Sequence, residues 1–528
     1  MKAKTLIVLI CSFLSFANAQ TLVEQKFGDT LIIQINKLGE NINSNYSDFS
    51  PVISADGLTM FFTSRRPNDI NNKKTSEDFE QIYISTYDKN LKKWNLSVKL
   101  ASPLNIEGDH SSNISISNDG QHMLLYMYDR ITKGDIYESF LKGNEWTEPV
   151  RLSEPINSKR HESSASFSPD GNTIYFISDR GKKGNRDIYF SKKNKKGKWS
   201  EPKPIINLNS ELNEEAVFIH PDGKTMFFSS NRKEGYGGYD IYKTVCGKNE
   251  KWSTPINLGE PINTPENDLF FVLTADGKKA YYSSNREGSI GEKDIFEIEF
   301  ISTEKKIEKG PALVLLKGRV FDSKTKLPIE ASIEIVNVKN GEKISNLTSN
   351  SVSGNYMISL PSGVNYGIYI SKLGYLHFSD NVNLPESDGY KEIDKDIYLE
   401  KIEIGSKMVL NNIFFDYGKA TLTNESTEEL MKIYTILNEN NSLKIEISAH
   451  TDSRGKDDAN KILSEYRAKA VVDFLINKGI SENRMIYKGY GRTMPIYSDD
   501  IIQKQKSELE KEKMHSLNRR IEFKILSN

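Results

Sequence analysis

The sequence predicts a multidomain protein: an all-β propeller of five blades, a small β-sandwich and a C-terminal α+β domain. Asp-Gly turns recur at Asp56-Gly57, Asp119-Gly120, Asp170-Gly171, Asp222-Gly223 and Asp276-Gly277, at spacings of 63, 51, 52 and 54 residues. A different pattern of alternating apolar strands begins at Leu313, and beyond residue 404 helical periodicity joins strand alternation. At 528 residues the chain is also too long for one ordinary core.

Residues 1–19 read as a cleavable secretion signal. Lys2 and Lys4 precede an apolar run from Leu6 to Phe16, and Ala17-Asn18-Ala19 puts small residues before Gln20. The run is shorter than the ~20 residues that span a bilayer, and nothing later is long enough, so a mature chain without a transmembrane helix is expected. Cys11 raises the alternative of a lipidated N-terminus, which bulky Leu9 and Ile10 disfavour. Cys246 is then the one remaining cysteine, which leaves no internal disulfide. A net charge of −1 gives no basic field for nucleic acid.

The propeller is expected over 20–300. Trp94, Trp146, Trp199 and Trp252 keep the same period, with separations of 52, 53 and 53, as packing elements would. In the fourth unit, Pro221-Asp222-Gly223 makes a turn, Met226–Ser229 and Asp240–Tyr242 make strands, and Trp252 and Pro255 lead outward. Three or four short strands per ~50 residues suit a propeller blade. The pattern resembles the PD40 family of WD40-like propellers. The fifth unit lacks its own outer strand, which the segment from Gln34 to Ile42 could supply by pairing the two ends of the repeat. Six blades are the alternative if residues before Leu31 add strands. Asp187, Asp240 and Asp294, recurring with Arg180, Arg232 and Arg286, are expected to bond the turns of their own blades. Pro67 to Glu80 is an insertion in blade one, readable as a partner loop or a passive one.

After a linker at 301–311, a β-sandwich is expected over 312–400. Lys317–Asp322, Ala331–Ile335, Gly354-Asn355-Tyr356 and Lys372–Tyr375 supply strands and turns. This segment is similar to carboxypeptidase regulatory-like domains. Its one histidine, His377, leaves it without a zinc-ligand set. It reads as a spacer or docking module.

The segment 404–528 carries the clearest site. Ile445, Ile447 and Ala449 alternate as a half-buried strand leading into His450-Thr451-Asp452-Ser453-Arg454-Gly455. Leu463, Tyr466, Ala470, Val471, Phe474 and Leu475 then recur at helical spacing around Arg467, with Gly479 ending the helix. A preceding helix is expected around Leu430–Leu437, and later strands around Arg484–Lys488 and Arg520–Ile525. A carboxylate at a strand end and a guanidinium on a helix could grip the two ends of a zwitterion. They could equally form a surface ion pair contributing ~0 to 1 kcal/mol.

Five motifs in order decide between these: Asn412–Asp416, the His-Thr-Asp loop, Ser464-Glu465-Tyr466-Arg467-Ala468, Lys488–Gly491 and Asn518–Glu522. Together they resemble an OmpA-like C-terminal domain. The resemblance implies noncovalent binding of the peptidoglycan stem peptide, with Asp452 and Arg467 gripping its diaminopimelate centre and Asn460 and Thr451 in the same pocket. Arg519 and Arg520 stay outside this set, because one could reach a ligand carboxylate while strand alternation equally turns one to solvent.

No serine elbow, zinc-protease helix, Walker loop or paired Cys-x-x-Cys is present, so no catalytic residues, metal or cofactor are expected. The combined reading is a noncatalytic envelope protein of the periplasm, held to peptidoglycan and associated with the outer membrane. Its propeller would be a platform for another envelope protein. The domain combination resembles Bacteroidetes-type envelope proteins, including peptidoglycan-associated components of type IX secretion. The alternative is a glycan-binding or hydrolytic propeller tethered to the wall, whose channel should then show clustered acidic and aromatic residues.

Overall fold

The computed structural model describes residues 21–27, 31–67, 79–106, 108–128, 134–181, 183–247, 249–302, 313–385, 389–416 and 418–527. The expected signal with Cys11, and most of the 301–311 linker and of the Pro67–Glu80 insertion, lie outside these residues. The fold is mostly β, with helices confined to the C-terminal α+β domain.

Five antiparallel sheets follow one another along the chain, each with its Asp-Gly turn between its first and second strands. Their first strands are Asp48–Ile53, His110–Ile116, Glu162–Phe167, Glu214–Ile219 and Asp268–Leu273. Each first strand touches the next, and the fifth touches the first, so the contacts run in a closed circuit. In the last sheet Leu31–Lys37 pairs antiparallel with Asp294–Ser302, and Thr21–Phe27 adds a fifth strand beyond it. The residues before Leu31 therefore extend the fifth sheet.

Two polar repeats stitch these sheets. Asn43, Asn105, Asn157, Asn209 and Asn263 each bond both backbone groups of one isoleucine, respectively Ile295, Ile82, Ile136, Ile188 and Ile241. An amide side chain can do this because it carries a donor and an acceptor side by side. Asn43 makes the same clamp across the chain ends: its Oδ1 accepts from Ile295 N–H at 2.8 Å, and its Nδ2 donates to Ile295 O at 2.9 Å and Leu38 O at 2.7 Å.

The recurring arginines bond the turns that lead into their own sheets, as Arg180 does at Pro155 O, Arg232 at Leu208 O and Arg286 at Pro261 O, and they do more. Arg66, Arg180, Arg232 and Arg286 reach the buried acids that open the first strands, Asp48, Glu162, Glu214 and Asp268. Each also lies over aromatic rings of its own sheet. A buried carboxylate needs a charged partner more than an exposed turn does. Asp240 and Asp294 do accept turn amides, from Tyr236 and Ile290. The tryptophans bind sheet to sheet: Trp94 packs on Tyr281, Trp146 on Phe61 and Trp252 on Tyr175.

In the middle domain, Leu313–Asp322 pairs with Asn355–Pro361 and with two later strands, while Ser332–Asn337 centres a second four-stranded sheet. Val314, Leu316, Ile333, Ile335, Ile358 and Ile368 belong to one core between them.

The C-terminal domain has four strands and four α-helices: β1 (Lys407–Val409), α1 (Thr427–Glu439), β2 (Lys444–His450), α2 (Asp457–Asn477), β3 (Met485–Gly491), α3 (Asp499–Gln503), α4 (Glu508–Asn518) and β4 (Ile521–Ser527). The sheet order is β1-β4-β2-β3, with β2 and β3 parallel. Ile445, Ile447 and Ala449 of β2 meet Ala468, Val471, Val472 and Leu475 of α2 in one core. Tyr466, expected on the buried face, is 60% exposed, because Ala468 and Val472 set that face instead. Helices α3 and α4 were not legible as helices; their run of charges hides any apolar stripe.

The asparagine clamp yields a test. Asn43→Ala takes away the partner of the buried Ile295 N–H and of Leu38 O, while Ile295 O keeps its bond from the Leu38 N–H, and should destabilise the N-terminal region by about 1–3 kcal/mol, whereas Asn95→Ala, at an exposed bond, should stay within about 0.5 kcal/mol. Denaturant unfolding of the two variants checks this.

Candidate functional site

Strand β2 delivers Thr451 and Asp452 at its C-terminal end, and α2 starts five residues later, carrying Asn460 and Arg467. The close fit of α2 on β3 fixes their relative position. A Cβ on Gly489 would fall 2.2 Å from the Glu465 backbone nitrogen, so that glycine is required for the approach. His450 stacks on Tyr490 beneath the loop, with ring centroids 5.2 Å apart.

Asp452 is 6% exposed. Its Oδ1 accepts from the Arg454 backbone N–H at 3.1 Å, and its Oδ2 accepts from Arg454 Nε at 3.0 Å and Arg519 Nη1 at 2.6 Å. Glu512 of α4 closes the group, 2.9 Å from Arg454 Nη1 and 2.8 Å from Arg519 Nη2. Two carboxylates and two guanidiniums thus form a charge-balanced quartet. Burial pushes the Asp452 carboxyl up, but the hydrogen bonds from Arg454 and Arg519 outweigh it and hold the group below its ordinary value.

Arg467 lies in the same cleft yet gives no hydrogen bond to Asp452. Its Nε donates to Lys419 O at 3.0 Å, and its guanidinium sits 4.9 Å from the centre of the Phe415 ring. Burial, with repulsion from Arg519, lowers its pKa. Among the described residues no carboxylate forms an ion pair with it.

Asn460 is 8% exposed and donates to Arg454 O at 3.0 Å, holding the loop that carries Asp452. Thr451 is 5% exposed; its backbone N–H bonds Gly491 O at 3.0 Å, while its buried Oγ1 has no hydrogen-bond partner. All four residues singled out from the sequence line one cleft of about 1250 Å³. Arg454, Arg519 and Glu512 were missed as members. The Asn-Arg-Arg motif announced a candidate, and the structure separates its two arginines: Arg519 turns to Asp452, while Arg520 pairs with Glu522 at 2.7 Å. Glu512 had no signal within the charge run of α4.

Among the described residues there is no group of three or more His, Cys, Asp or Glu placed to hold a metal ion, and no helix long and apolar enough to cross a membrane.

The stretch from Phe414 to Glu508 contains the strand, loop and helix of this site. Residues 414–508 match the OmpA family. The C-terminal domain is thus OmpA-like. Its similarity reaches unlike proteins: a 94-residue stretch is 39% identical to photosystem I P700 chlorophyll a apoprotein A2 of Gloeobacter violaceus, over 17% of this chain and 11% of that one. Another of 88 residues is 35% identical to outer membrane protein A of Atlantibacter hermannii, over 16% of this chain and 36% of that one. The chain spans well under half the length of these curated relatives. Among solved structures, the peptidoglycan-associated lipoprotein of Burkholderia pseudomallei aligns with 21% identity and a TM-score of 0.18, over 21% of this chain and 86% of that one.

Glu522 makes acid stability of the OmpA-like domain measurable. The His450 ring 3.8 Å away and the Arg520 guanidinium pull its carboxyl down to about 2 against the effect of burial. A depressed carboxyl stabilises the fold when ionised, so its contribution is complete above about pH 4.5 and is lost as pH falls toward 2. Glu522→Gln should flatten the fall in stability across that window by on the order of 2 kcal/mol, read from the domain's melting transition against pH.

Proposed function

We propose that this chain binds peptidoglycan noncovalently through its OmpA-like domain. One observation carries the reading: Arg467 is a partly buried cation without a carboxylate partner among the described residues, and it shares a cleft with the carboxylate of Asp452. Desolvating a guanidinium without an anion is costly, and a ligand carboxylate relieves that cost. The diaminopimelate centre of a stem peptide offers an ammonium and a carboxylate on one carbon, matching Asp452 and Arg467 respectively.

Binding requires one exchange. The ligand ammonium takes the place of Arg454 on Asp452, while Arg454, 55% exposed, keeps its contact with Glu512. Arg519 stays on Asp452 and maintains its ionisation. Asn460 acts by holding the loop, and Thr451 Oγ1 is free to take a ligand hydrogen bond. The likeness to outer membrane protein A agrees with a place in the envelope, and the proposed place is the periplasm, at the wall.

The N-terminal region is proposed to be a five-bladed PD40-like propeller. Five sheets in chain order, first strands in a closed circuit, and an outer strand supplied from the other end of the repeat support that reading. Its role is proposed to be a noncatalytic platform for an envelope protein. Where the five first strands end, a cavity is lined by Ser54, Ser117, Ser168, Phe218 and Ala275 among others, with no carboxylate among its described lining residues. The middle domain keeps its reading as a regulatory-like sandwich.

Cosedimentation with diaminopimelate-type peptidoglycan tests the central claim. The chain should pellet with the wall, and Asp452→Ala and Arg467→Ala should each weaken binding about tenfold or more, as loss of a charge-assisted bond does. Undiminished binding by both folded variants would sink the assignment.

A further inference from the structure

The cleft that holds Asp452 and Arg467 does not end with the OmpA-like domain. Its opposite wall comes from the middle domain, through His377, Asp380, Asn381 and Lys395. Resting on the peptidoglycan reading above, we infer that the binding site is a two-domain cleft, whose middle-domain wall holds the part of the stem peptide lying beyond the diaminopimelate centre.

The two walls are fixed to each other. His377 Nε2 lies 3.0 Å from Glu429 Oε1 on α1, with both side chains almost fully buried. Asn412 donates to the other Glu429 oxygen at 3.1 Å and to Asp380 O at 3.1 Å. Asn411 Nδ2 donates to Ser379 O at 2.6 Å, and Lys432 Nζ meets Glu334 Oε2 at 2.5 Å. Buried polar contacts of this kind are destabilising to break because they leave a desolvated carboxylate short of donors, so they hold the domains in one register.

Size and chemistry identify what the cleft takes. At about 1250 Å³ it exceeds the ~300–1,000 Å³ of pockets for drug-sized molecules, and one diamino acid leaves most of it empty. Each wall has a buried polar atom without a hydrogen-bond partner: Thr451 Oγ1 on the OmpA-like side and His377 Nδ1 on the other. Native interiors seldom leave such atoms unpaired, and a ligand rich in amides satisfies them. Asp380 and Lys395 pair with each other on the middle-domain wall, and the Lys395 side chain, 37% exposed, can exchange that partner for a peptide carboxylate. A stem peptide supplies both amides and carboxylates outside its diamino acid. The middle domain is thereby part of the receptor.

The test uses the full chain with two ligands, free meso-diaminopimelate and a soluble disaccharide-tetrapeptide containing it, measured by titration calorimetry. The variant Lys395→Met keeps the side chain's packing near Phe378 and removes its charge. It should weaken the disaccharide-tetrapeptide about fivefold or more and leave free diaminopimelate within about twofold, since only the longer ligand reaches Lys395. Asp452→Ala should abolish binding of both. Equal affinities for the longer ligand in Lys395→Met and the unaltered chain would overturn the two-domain cleft while leaving the peptidoglycan reading intact. An equal loss for both ligands would also overturn it, since Lys395 would then act through domain packing. Full binding by Asp452→Ala, or none by the unaltered chain, would remove the underlying reading itself.

Discussion

Five asparagine side chains, each closed on both backbone groups of an isoleucine, are the constraint on which the N-terminal half depends. A third strand that carried these isoleucines without the clamps would present unpaired N–H groups to the interior, at about 1–3 kcal/mol for each, while each isoleucine C=O keeps a backbone partner. Only an amide side chain presents the needed donor and acceptor in the spacing of a peptide. The arginine repeats add a second layer, because each one neutralises the acid opening a first strand while lying on the aromatic rings behind it. Apolar packing fills the space between sheets, and the polar clamps fix which strand lies where.

The OmpA-like domain uses charge differently. Its quartet of Asp452, Arg454, Arg519 and Glu512 is balanced, so it keeps Asp452 ionised without drawing counterions to it. Arg467 stands outside that balance and gives the cleft its attraction for anions. On the proposed reading, a ligand bearing both charges suits this site, its carboxylate facing Arg467 and its ammonium facing Asp452.

Much of this was legible in the sequence because it follows from periodicity. The tryptophans and Asp-Gly turns marked the repeating sheets, and the missing outer strand of the fifth unit pointed to the segment from Gln34 to Ile42, part of which completes the last sheet. Strands β2, β3 and β4 stood out by alternation, and the Asp452 loop by its motif. What escaped was set by tertiary contact. The arginine partners lie 18 residues away in sequence, at strand heads where Asp and Glu interchange and no fixed letter recurs. Glu512 belongs to a helix whose charges look alike until one of them meets Arg454. Tyr466 was assigned inward by spacing, although Ala468 and Val472 already fill that face.

The pairing of Leu31–Lys37 with Asp294–Ser302 carries a consequence for how the chain is made. Leu31–Lys37 waits for a partner that emerges more than 250 residues later. At synthesis rates of about 5–20 residues per second, that interval is on the order of tens of seconds. Loop closure over such a length is slow compared with local hairpin formation, so the four sheets between form while the first strand remains an open edge. An apolar strand with one unpaired edge is a template for pairing with other chains, and the meeting of the two ends removes it.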